Sequence, residues 1–66
     1  MKTVTVSGFW QVRQVRVNGR EDDALTPKVA RDAVAIAFGY GSYATVTDGK
    51  TSYRVTSRVR KIKQDR

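Results

Sequence analysis

The chain has no cysteine and no histidine, and only six acidic residues among its 66. Without cysteine there is no disulfide scaffold and no thiolate metal site. Without imidazole as well, zinc-type centres and nucleophiles activated by a histidine base are excluded. A single proline and a single methionine leave little to break or blur regular elements. No apolar run nears the roughly 18 residues of a membrane span, and the N-terminus lacks a signal-type apolar stretch. The expectation is a soluble, cytoplasmic domain. With 39% apolar residues the chain has enough to bury for a small core, so it folds as one unit and does not stay disordered.

What the sequence has in excess is positive charge. Thirteen Lys and Arg give a formal net charge of +7, with a pI near 10.4. Residues 1–20 carry +4, residues 21–53 carry −2, and residues 54–66 carry +5. Both ends are basic and the middle is mildly acidic. A polyanion is attracted strongly only if folding gathers the two ends into one field.

From Thr3 to Val12 the residues alternate, with Val4, Val6, Trp10 and Val12 on one face and Thr3, Thr5 and Gln11 on the other. At Val15 and Val17 the phase slips by one, which a β-bulge near Arg13 and Gln14 accommodates. Two backbones fit. One is a hairpin with the three-residue loop Ser7-Gly8-Phe9, pairing Val6 with Trp10 and Val4 with Val12. The other is a single long strand bent at Gly8. Both keep the same faces and place Trp10 in the core.

Asn18-Gly19 reads as a turn, and Glu21-Asp22-Asp23 as a polar connection. Thr26-Pro27 opens a helix with Thr as N-cap and Pro at the first helical position, and the three acids suit its positive end. Val29, Ala33, Ile36 and Ala37 form the predicted buried stripe, flanked by Ala30 and Val34. Lys28, Arg31, Asp32 and Ala35 face outward, and Gly39 ends the helix in a left-handed cap. Tyr43–Thr47 and Lys50–Val59 then read as a hairpin about an Asp48-Gly49 type I′ turn, pairing Thr47 with Lys50 and Ala44 with Tyr53. Ala44, Val46, Tyr53, Val55 and Val59 share its core face.

The predicted architecture is an α+β domain over residues 1–60: an antiparallel sheet of three or four strands, order β(β)αββ, with one helix on one face. A basic tail, frayed or extending the strand through Ile62, follows over 61–66. The solvent face of the sheet then carries Arg13, Arg16, Lys50, Arg54, Arg58 and Arg60, with Tyr43 and Thr56 among them. A row of guanidinium groups at strand spacing engages phosphates bidentately, and threonine hydroxyls donate to phosphate oxygens. These eight residues are the candidate nucleic-acid-binding set. With Trp10 assigned to the core, exposed aromatics are too few for a stacking platform, so duplex nucleic acid is favoured over a single strand.

Other constellations carry less. Gly39-Tyr40-Gly41-Ser42 follows a helix where a phosphate loop precedes one, and it lacks the Gly-Lys-Ser/Thr ending. Glu21-Asp22-Asp23 lacks calcium-loop spacing. No cofactor or metal is expected, and no enzymatic activity, because the only catalytic grouping to be assembled is Tyr43 with Arg54 and Arg58. The competing function is a protein-interaction module, of the kind that phages and other mobile elements encode. It would bind an acidic protein surface or form a homodimer through an edge strand.

Overall fold

The computed structural model describes residues 1–62. The order is β1 (Lys2–Gly8), β2 (Gln11–Val17), α1 (Pro27–Phe38), β3 (Ala44–Thr47), β4 (Ser52–Val55) and β5 (Val59–Ile62). The five strands form one antiparallel sheet in the order β2-β1-β3-β4-β5, and α1 packs across one face. The fold is therefore α+β as expected, with one more strand. The extra strand arises because the segment from 50 to 59 does not run straight. It turns back at Thr56–Arg58, where Thr56 N–H donates to Arg58 O (2.8 Å), and strand structure then extends through Ile62, the second of the two expected outcomes for the tail, with Lys61 and Ile62 closing β5. The tail expected beyond them, at 63–66, lies outside the described residues.

The first hairpin corrects the sequence reading. Its loop has two residues, Phe9 and Trp10, both in the left-handed region (φ 54° and 63°). Gly8 pairs with Gln11, Val6 with Arg13, Val4 with Val15 and Lys2 with Val17 in one unbroken ladder. There is no bulge. A loop of even length exchanges odd and even positions between faces, so the slip from Val4 and Val6 to Val15 and Val17 is the mark of the turn itself. The ladder keeps all seven pairs and puts Val15 and Val17 under the helix. It sends Val12 to the open face (69% exposed) and leaves Trp10 at the tip, at 105% of its reference area, outside the core. Gly8 is a close-approach site, because a Cβ there would lie 3.0 Å from both Ala44 Cβ and Tyr43 O.

The helix begins as predicted: Thr26 Oγ1 accepts from Val29 N–H (3.3 Å) and Pro27 follows. Its buried side is Ala30, Ala33, Val34 and Ala37, whereas Ile36 is 58% exposed. The stripe is thus rotated from the expected one, because small alanines let the helix settle closely on a valine-covered sheet. Gly39 ends the helix at φ 102°, ψ 164°, a positive-φ cap but not the left-handed helical one, with its N–H on Ala35 O. No acid lies in the first turn of α1. Glu21 instead binds β1, its Oε2 accepting from Thr3 N–H (3.1 Å), and Asp23 accepts from Arg20 N–H (2.9 Å).

The core consists of Val4, Val6, Val17, Leu25, Ala44, Val46, Tyr53 and Val55 with the helix alanines and Val34. The β3–β4 register is Thr47 with Ser52, Val46 with Tyr53 and Ala44 with Val55, about a four-residue loop at 48–51. That differs from the predicted register by two residues, which leaves the side chains of β3 and β4 on their predicted faces but moves Lys50 out of the strand into the loop. Among the described residues no helix is long and apolar enough to cross a membrane.

Candidate nucleic-acid interface

The sheet face opposite α1 follows from register. Its strand residues are Val12, Gln14 and Arg16 on β2; Thr3, Thr5 and Ser7 on β1; Thr45 and Thr47 on β3; Ser52 and Arg54 on β4; and Arg60 and Ile62 on β5. None is acidic. One cross-sheet row reads Val12, Ser7, Thr45, Arg54, Arg60. Hydroxyls occupy the middle and guanidinium groups one side.

Arg54 and Arg60 are directly opposed on neighbouring strands, about 5 Å apart at Cα. The loop joining those strands carries Arg58 and begins at Thr56, whose Oγ1 donates to Arg58 O and accepts from Arg58 N–H (3.2 and 3.3 Å). Tyr43, 57% exposed, lines a shallow depression together with Thr45, Arg54 and Thr56. Like charges placed opposite each other on a sheet repel. Among the described residues no carboxylate pairs with Arg54, Arg58 or Arg60; the ion pairs are Lys2–Asp48 and Lys28–Asp32. Five of the eight candidate residues, Tyr43, Arg54, Thr56, Arg58 and Arg60, thus meet at one corner of the sheet.

The other three do not join them. Arg13 is turned toward the helix, because the two-residue turn exchanges its face. Its Nη1 donates to Ala37 O (2.7 Å), its guanidinium lies 5.1 Å over the Phe38 ring, and Gln11 Oε1 accepts from Nε and Nη2. It acts as a C-terminal cap supplied by a neighbouring strand, at the negative end of the helix dipole. Arg16 does face outward, but on the far edge strand and four residues along, roughly 20 Å from Arg54 by strand spacing. Lys50 sits in the 48–51 loop at the opposite end of β4, in a hollow shared with Glu21, Asp22, Asp23 and Asp48. Its charge is locally offset.

That acidic end has its own order. Lys2 is only 4% exposed, and its Nζ is 3.0 Å from Asp48 Oδ2 and donates to Glu21 O (2.9 Å). Asp48 accepts further bonds from Lys50 and Thr51 N–H (2.9 and 2.8 Å). Burial alone would raise its pKa. The two backbone donors and Lys2 outweigh that and hold it at about 2. Among the described residues no group of three or more carboxylates converges as a metal site would require.

One exposed residue beside the corner was missed by the sequence reading. Trp10 stands at the β1–β2 tip, at the same end of the sheet, where Gly8 abuts the backbone carbonyl of Tyr43. The even-to-odd phase change was the signal that would have placed it there. No protein-family model, curated protein or solved structure matches the chain, so the site is read from its own geometry.

Proposed function

We propose that this protein binds nucleic acid by docking the β4–β5 corner of its open sheet face on the phosphate backbone. Arg54, Arg58 and Arg60 supply the charge, Thr45 and Tyr43 supply hydroxyl donors, and Thr56, whose hydroxyl is bonded to Arg58 O, fixes the loop that carries Arg58. The observation that supports the reading is the opposition of Arg54 and Arg60 with no carboxylate nearby among the described residues. Two guanidinium groups held side by side destabilise the free sheet, and a bridging phosphate removes that repulsion while accepting charge-assisted hydrogen bonds. Arg16 and Lys50 contribute only to the long-range field.

The test is binding of a labelled oligonucleotide followed by anisotropy at several salt concentrations. Affinity is expected to fall steeply with salt, and Arg58→Ala combined with Arg60→Ala should lessen the log–log slope by about 2, whatever the base sequence. A flat salt response, or no binding at low salt, overturns the reading.

A second reading, docking on a protein, has one observation in its favour. β2 is a seven-residue edge strand with no further strand on its outer side among the described residues. A partner or second copy that persists in pull-downs after nuclease digestion would favour it.

A further inference from the structure

The β1–β2 turn is built from residues that a two-residue turn does not want. Both central positions have positive φ, where Asn-Gly is the favoured pair and a bulky side chain is strained by about 1 kcal/mol or more. Phe9 recovers part of this, since its ring meets Phe38 edge-on at 5.3 Å. Trp10 recovers nothing: it is fully exposed and makes no hydrogen bond or ring contact in the described structure. A large apolar side chain thus occupies a strained position without contributing to the fold. Strain of that kind is characteristic of contact sites.

Its position in the sheet indicates the contact. Gly8, which leads into the tip, abuts the backbone carbonyl of Tyr43 at the start of β3, so the tip lies at the same end of the sheet as the depression of Tyr43, Arg54 and Thr56, with Arg58 and Arg60 on the next loop and strand. From the tip to β4 is two to three strand spacings, roughly 10–14 Å. Exposed aromatic side chains and guanidinium groups that pair with no carboxylate among the described residues are therefore gathered at one end of the sheet. This is the composition that holds single strands, where each base offers a face to stack and each nucleotide a phosphate. Paired bases in a duplex offer no free face to an indole.

We propose that the ligand of this corner is single-stranded nucleic acid, with Trp10 stacking on an unpaired base and Tyr43 on a neighbouring one while Arg54, Arg58 and Arg60 hold the backbone. The proposal rests on the phosphate-docking reading and narrows it from the duplex that the sequence alone favoured.

Trp10 is the only tryptophan in the chain, so its emission reports the contact directly. The probe is an oligothymidylate of about 12 nucleotides, within the site sizes of sheet-type single-strand binders, compared with its duplex with oligoadenylate. The expected result is saturable quenching by the single strand and not by the duplex. Trp10→Gly should weaken single-strand binding about tenfold or more while leaving the melting temperature unchanged or higher, and Trp10→Tyr should restore most of the affinity. If Trp10→Gly binds as well as the wild type while Arg54→Gln with Arg60→Gln does not, stacking is overturned and phosphate docking stands. If neither oligonucleotide binds at low salt, both fall. A nuclease-resistant protein partner that needs Trp10, with no quenching by oligothymidylate, would overturn the proposal in favour of a protein contact.

Discussion

Two side chains show how much a single residue's role depends on its surroundings. Lys2 and Asp48 lie 46 positions apart and form a buried ion pair that ties the first strand to the β3–β4 loop. Because the folded Asp48 pKa is about 2, below the usual 3.8, its stabilisation is complete above pH 4. It is lost as pH falls toward 2, a change of roughly 2 kcal/mol visible as a declining melting temperature in acid. Asp48→Ala should cost about 3–5 kcal/mol in a denaturant titration, since it leaves a buried ammonium with a single carbonyl, and adding Lys2→Met should recover part of that loss. Arg13 is the complementary case, a basic residue whose charge serves the fold. Arg13→Met keeps the aliphatic stem but loses the bond to Ala37 O and the contact with Phe38. The expected destabilisation is about 1–2 kcal/mol in the same titration, with little change in oligonucleotide affinity.

At the scale of elements, the parity of each loop governs which face a strand presents. The three-residue turn at 56–58 keeps parity, so Val59 stays with Val55 and Arg60 with Arg54 even though the reversal itself was not foreseen. The four-residue loop at 48–51 and the predicted two-residue turn are both even, so the faces of β3 and β4 were legible despite a register wrong by two. The two-residue turn at Phe9-Trp10 matches neither the three-residue loop at Ser7-Gly8-Phe9 nor the single strand bent at Gly8; both of those backbones place Trp10 and Val12 on the core face and Arg13 on the open one, opposite to where they lie. Hairpin β4–β5 also carries a testable cost. Arg60→Thr removes the like charge opposite Arg54 and adds a good strand former, so it should stabilise the domain by a few tenths of a kcal/mol at low salt while weakening nucleic-acid binding. A melting temperature lowered by this substitution would show that Arg60 contributes to the fold.

Across the whole molecule, charge is sorted along the sheet. Glu21, Asp22, Asp23 and Asp48 gather with Lys2 and Lys50 where β1 begins, and Arg54, Arg58 and Arg60, which pair with no carboxylate among the described residues, gather at the other end of β4. On the proposed docking, this arrangement would draw a polyanion to one corner and repel it from the opposite end. The arginines from the two termini do not merge into one wall, since Arg13 is claimed by the helix and Arg16 by the far edge. What remains at the corner is a smaller and more aromatic site than the basic composition foretold.

The sequence by itself determined the local and the periodic features. Thr26-Pro27 set the start of the helix, Gly39 its end, and strict alternation set the buried valines of β1, β3 and β4, because caps and pleats act over a few residues. Only the tertiary structure decided loop lengths, strand neighbours and the burial of Lys2, since these depend on contacts between segments far apart in the chain. Trp10 lies on that divide. Its type favours burial, but an uninterrupted ladder with Val15 and Val17 beneath the helix left it outside the core.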